Sequence, residues 1–156
     1  SELSKLPTAP EKVILSVLGN MFGSKHYKSI SEIPDDAWWN VHFALAGLLK
    51  LVPVMPKGLR PAAYEALAMV PGVKTVPDVR DAKGRVGVAV TYSGRPPGLP
   101  KRQRKPGYGS YFIFDPKTYA FLGFRDVRTS DDDSKTYIQL SYLDDWAIVD
   151  RVKQRP

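Results

Sequence analysis

The sequence predicts an α+β fold: three N-terminal helices packed on one face of a mainly antiparallel β-meander of four to six strands. Three observations carry this. Apolar residues recur at helical spacing in three segments before Pro71, the period changes from 3.6 to 2 after Pro71-Gly72, and the alternating segments that follow are joined by short turns of Gly, Pro and Asp. The 156 residues, 43% hydrophobic and 25% charged, fit one domain with a helical part (1–72) and a sheet part (73–156). A compact chain of this size removes roughly 68–70% of its unfolded surface from water, so a real core is available.

The first helix is predicted from about residue 9 to 22. Thr8 and Glu11 have capping-box spacing, Val13, Ile14, Val17, Leu18, Met21 and Phe22 share one face, and Gly23 is placed to end it. The second opens at Pro34-Asp35-Asp36, with proline in the first turn and two carboxylates at the positive end of the dipole. Its stripe is Trp38, Val41, Leu45, Leu48, Leu49 and Val52, and Pro53 and Pro56 stop it. The third runs from about Leu59 to Val70, with Ala63, Leu67 and Val70 facing inward.

Val73 to Val79 reads as an edge strand, because Pro77 cannot donate to a ladder. Asp81-Ala82-Lys83-Gly84 turns the chain into a strand on which Val86, Val88, Val90 and Tyr92 alternate. Residues 93–109 have the proline and glycine content of a long surface loop. Strands follow at 110–115 and 119–128, with Gly123 a candidate bulge, and then one bent strand or two over 136–152. Short turns between consecutive strands make them antiparallel neighbours.

No window reaches the 18 apolar residues of a spanning helix, since Phe43 to Val54 is broken by Gly47 and Lys50. The absence of cysteine excludes disulfides, thiolate metal sites and a Cys nucleophile. The net charge is +7, but Arg95, Lys101, Arg102, Arg104 and Lys105 supply five cations without an acid; removing them from 23 leaves 18 basic against 16 acidic residues. The basicity therefore belongs to one loop. That loop is a candidate for an anionic partner or surface; nucleic acid is disfavoured because Tyr108 is its only aromatic and base stacking needs more.

Other candidates have plain structural readings. Asp131-Asp132-Asp133 lacks the alternate spacing of a calcium loop and reads as a solvated turn. Asp144 and Asp145 are adjacent on an extended chain and so point to opposite faces, which disfavours a catalytic pair. Neither His26 nor His42 has a helical metal partner at i+4; His42, beside the second stripe, is expected to be partly buried and hydrogen-bonded. No Gly-x-Ser-x-Gly elbow, Ser-x-x-Lys, phosphate loop or dinucleotide fingerprint is present, so no catalytic residue, metal site or cofactor is assigned. Trp38, Trp39 and Trp146, with Tyr111, Phe112, Phe114, Tyr119, Phe121 and Phe124, are candidates to line an apolar cleft between helices and sheet, where small ligands commonly bind.

Leu59-Arg60-Pro61-Ala62-Ala63-Tyr64-Glu65-Ala66-Leu67-Ala68, Val70-Pro71-Gly72-Val73 and Asp81 to Ala89 resemble a family of uncharacterised actinobacterial proteins. Phe114-Asp115-Pro116-Lys117-Thr118-Tyr119, Phe121-Leu122-Gly123, the ending Val149-Asp150-Arg151-Val152 with Gln154-Arg155-Pro156, and Leu6-Pro7-Thr8 extend the resemblance. It implies an extracytoplasmic domain anchored by an upstream transmembrane segment, often encoded beside extracytoplasmic-function sigma factors, and this chain would be the later portion of that domain. The basic insertion at 93–109 and the Lys153 before Gln154 depart from the family's pattern. The function this implies is sensing or partner binding without catalysis, with carriage of an apolar ligand in the aromatic cleft as the alternative. If upstream strands belong to the sheet, its exposed edge here would also permit self-association.

Overall fold

In the computed structural model, which describes residues 2–21, 27–94, 110–130, 132 and 134–144, the change of period marks the change of architecture. Helices α1 (Pro10–Met21), α2 (Trp38–Leu51) and α3 (Leu59–Met69) precede strands β1 (Val73–Arg80), β2 (Val86–Tyr92), β3 (Tyr111–Phe114), β4 (Phe121–Thr129) and β5 (Thr136–Tyr142). The strands pair antiparallel in chain order, giving a five-stranded meander. Of the segment predicted as strand over 136–152, the part to Tyr142 is β5, and residues 145–152 lie outside the described region.

One apolar cluster joins the helices to the sheet. Val13, Ile14, Val17 and Leu18 of α1 meet Val41, Leu45 and Leu49 of α2 and Leu59, Ala63 and Leu67 of α3, and the sheet contributes Val90 and the fully buried Phe114. Two helix starts differ from the sequence expectation. Thr8 makes no side-chain hydrogen bond among the described residues; its Cγ2 lies 3.3 Å from where a Cβ on Gly58 would stand, so the methyl packs against the α2–α3 turn and no capping box forms. Pro34, Asp35 and Asp36 open a 3₁₀ turn, Asp35–Ala37, which then runs into α2. At the other end of α2, Arg60 Nη2 donates to the carbonyls of Val52 (2.7 Å) and Pro53 (3.0 Å), satisfying acceptors the helix leaves open.

The two edges of the sheet differ. On β1, Pro77 has no N–H, the register shifts between Val76 and Val79, and Asp78 has φ 59°, all of which deter a further strand. On β5, the other edge among the described residues, no residue from Thr136 to Tyr142 is charged, and Ile138 and Leu140 are 57% and 59% exposed.

The irregularity anticipated at Gly123 lies one residue earlier. Ile113 pairs with Gly123 and Phe114 with Phe121, so Leu122 is the extra residue. Gly123 answers a different demand, because a Cβ there would stand 2.2 Å from the carbonyl oxygen of Ser141 on β5.

An ion pair between the buried Asp81 and the half-buried Arg85 fastens the β1–β2 turn to Leu122 of β4 and to Leu143 after β5. Arg85 Nε donates to Asp81 Oδ2 at 2.6 Å, and its Nη2 donates to the carbonyls of Leu122 (3.1 Å) and Leu143 (2.8 Å). Burial alone would raise the Asp81 carboxyl, but hydrogen bonds from Arg85 and its positive charge, with the Lys83 backbone N–H, hold it below the usual value.

Candidate functional site

Between α2 and the helix-facing side of the sheet opens a cavity of about 390 Å³. Its apolar floor is Val90 and Tyr92 of β2, Phe112 of β3 and Phe124 of β4. Register assembles that floor: Val90 pairs with Phe112, and Phe112 with Phe124, so three side chains stand in a row on one face of three strands. Helix α2 contributes His42 and Lys50, which lie about 80° apart around the helix and therefore on one side of it. Ser110 and Asp126 close one end. Tyr111 and Arg125 border the cavity, but strand alternation sends their side chains to the opposite face, where they are cross-strand partners with the guanidinium 5.9 Å from the ring centre.

The polar groups in this cavity have unequal partners. His42 stacks on Tyr92 with ring centres 3.8 Å apart and planes 13° from parallel. Burial, and then the positive charge of Lys50, lowers the imidazole to about 4, so it is neutral at pH 7. The hydrogen bond expected of His42 is absent among the described residues, and ring stacking holds it instead. Lys50 Nζ lies 4.2 Å from the centre of the Phe112 ring, and burial lowers its pKa. It meets no carboxylate or other hydrogen-bond acceptor among the described residues. Burial also pushes the Tyr92 phenol up.

Asp126, by contrast, is fully engaged. Its Oδ1 accepts from Ser110 Oγ at 3.2 Å and its Oδ2 from Arg128 Nε at 2.7 Å, while Ser110 Oγ accepts from the Val127 backbone N–H at 2.9 Å. Serine, histidine and aspartate thus line one cavity, but not in the order that nucleophilic catalysis uses, where the imidazole stands between hydroxyl and carboxylate. Here Ser110 bonds directly to Asp126, and no carboxylate among the described residues orients His42.

The cleft residues expected from sequence are divided by the fold. Phe112 and Phe124 line the cavity and Tyr111 borders it. Phe114 is buried in the core against Tyr64 and Phe121. Trp38 packs against the same core, while Trp39 stacks on Phe43, which is 58% exposed. Trp146 lies outside the described residues, as do the loop cations Arg95, Lys101, Arg102, Arg104 and Lys105, His26, Asp131, Asp133 and Asp145. Asp132 is the centre of a turn, its Oδ1 accepting from Ser130 Oγ, Ser134 N and Ser134 Oγ, and Asp144 pairs with Lys83. No cluster of metal-ligating side chains occurs among the described residues, and no described helix is long and apolar enough to cross a membrane.

The sequence reading missed His42, Lys50 and Tyr92 as cleft residues. The available signal was two polar residues flanking the stripe of α2, with aromatics at alternating strand positions. Comparison with known proteins finds no matching family model, no matching curated protein and no matching solved structure.

Proposed function

We propose that this is a non-enzymatic domain that binds a small, largely apolar molecule in the cleft between α2 and the sheet, as a sensing or carrier module. The observation that carries the reading is the cavity of about 390 Å³ floored by Val90, Tyr92, Phe112 and Phe124, a size and lining suited to a small organic ligand. Engagement of Ser110 and Asp126 with each other, away from His42, supports binding over hydrolysis. Saturation-transfer NMR against a panel of small aromatic and aliphatic compounds tests it. Binders that compete for one site and weaken on Phe124→Ala are expected; no binder, or binders indifferent to that substitution, would contradict the reading.

The resemblance of residues 58–156 to actinobacterial membrane-anchored proteins supports an extension of this proposal. The domain would work outside the cytoplasm, held by an upstream spanning segment and acting on a sigma-factor pathway. Recovery of the native gene product from the membrane fraction of its host is the expected result. Recovery solely from the soluble cytoplasmic fraction removes the extension and leaves ligand binding standing.

A further inference from the structure

The chemical class of the ligand follows from an imbalance of charge inside the cleft, an inference that rests on the ligand-binding reading above. An ammonium group carries three N–H donors and no acceptor, and taking it out of water is unfavourable unless it is paired. Lys50 is half-buried, its Nζ stands over Phe112, and no acceptor reaches it among the described residues. The ring face offsets part of the lost hydration but leaves the N–H donors unmatched.

Among the described residues, no other group in the cavity supplies the missing negative charge. Asp126, the one carboxylate among the described lining residues, is held by Ser110 and Arg128. His42 is stacked on Tyr92, and Arg125, next to Phe124 on β4, turns its side chain to the opposite face of the sheet beside Tyr111. Phe112 and Phe124 flank the region of Lys50 with flat apolar surface.

We infer that the cleft takes a small amphipathic anion, an aromatic or similarly flat apolar body carrying one carboxylate or sulfonate, with the acid group on Lys50 and the body on Phe112 and Phe124. An anion at Lys50 would form charge-assisted hydrogen bonds where only a ring face now stands, in a site drier than bulk solvent. The loss of ammonium hydration, which already lowers the lysine's pKa, would thereby be offset.

Two fluorescent probes of one skeleton separate class from cleft: anilinonaphthalene sulfonate, which is anionic, and N-phenylnaphthylamine, which is neutral. Wild-type protein should bind the sulfonate more tightly by about tenfold, the value of one charge-assisted contact. Lys50→Met should remove that preference, read as the ratio of the two probes' affinities in the same variant, while Lys50→Arg should retain it. Equal affinity for both probes in the wild type, or a preference that survives Lys50→Met, overturns the anion assignment while leaving the cleft as a binding site. Failure of both probes to bind overturns the assignment and the ligand-binding reading together. Leu140→Lys monitors the exposed side of β5, and a sulfonate signal lost there but kept in Lys50→Met also overturns the assignment.

Discussion

At the scale of single residues, the two α2 side chains in the cleft, His42 and Lys50, are partly buried without a hydrogen-bond partner among the described residues. His42 shows this more clearly: its imidazole is stacked on Tyr92 and lowered to about 4 by burial and by Lys50, whereas an unfolded histidine titrates near 6.5. Between these values the unfolded chain binds a proton that the folded chain does not, so stability attributable to His42 is complete above about pH 6.5 and is lost as pH falls toward 4. The full difference corresponds to up to about 3 kcal/mol. Denaturation of the wild type and of His42→Gln at pH 7 and pH 4.5 checks this, and the wild type is expected to lose more stability than the variant over the interval. Sequence alone placed His42 beside the apolar stripe of α2. It could not supply the ring above it, because Tyr92 arrives through tertiary packing.

At the scale of elements, the helices and the first four strands were legible to within a few residues, since each announces itself locally. Pro34 and Pro53 bracket α2, Pro71-Gly72 ends the helical part, and the Asp115 turn, with Lys117 and Thr118 N–H groups each 2.8 Å from Asp115 Oδ1, joins β3 to β4. The floor of the cleft was not legible for a specific reason. Val90 faces Phe112 across a connection running from Ser93 to Ser110, and a connection of that length does not fix register as a short hairpin turn does. Glycines make the same distinction between local and tertiary demand. Gly47, inside α2, has no atom within 4 Å of where a Cβ would stand, so Gly47→Ala should stabilise the domain by about 0.5–1 kcal/mol. Gly123→Ala would drive a methyl into the backbone of Ser141 and Tyr142 and should cost about 1–3 kcal/mol. Urea denaturation of both variants measures the predicted opposite shifts in midpoint.

For the whole molecule, the sheet has two unlike faces. One is sealed by the helices through Phe114, Val90 and Leu45. On the other, Ala89, Ile113 and Leu122 are buried near the middle, with Ile113 and Leu122 closing over Gly87, while Ile138 and Leu140 on β5 remain exposed. Leu45→Ala should therefore cost about 2–5 kcal/mol, whereas Leu140→Lys should change stability by no more than about 0.5 kcal/mol; thermal unfolding distinguishes them. The division of faces places the cleft at the margin of the sealed one, where α2 passes over the row Val90, Phe112 and Phe124 and holds Lys50 against it. Nitrogen–proton correlation spectra recorded while anilinonaphthalene sulfonate is added test this most directly. Binding in the cleft predicts the largest shifts at Lys50, Tyr92, Phe112 and Phe124; shifts centred on Ile138, Leu140 and Tyr142, or none at all, would contradict it.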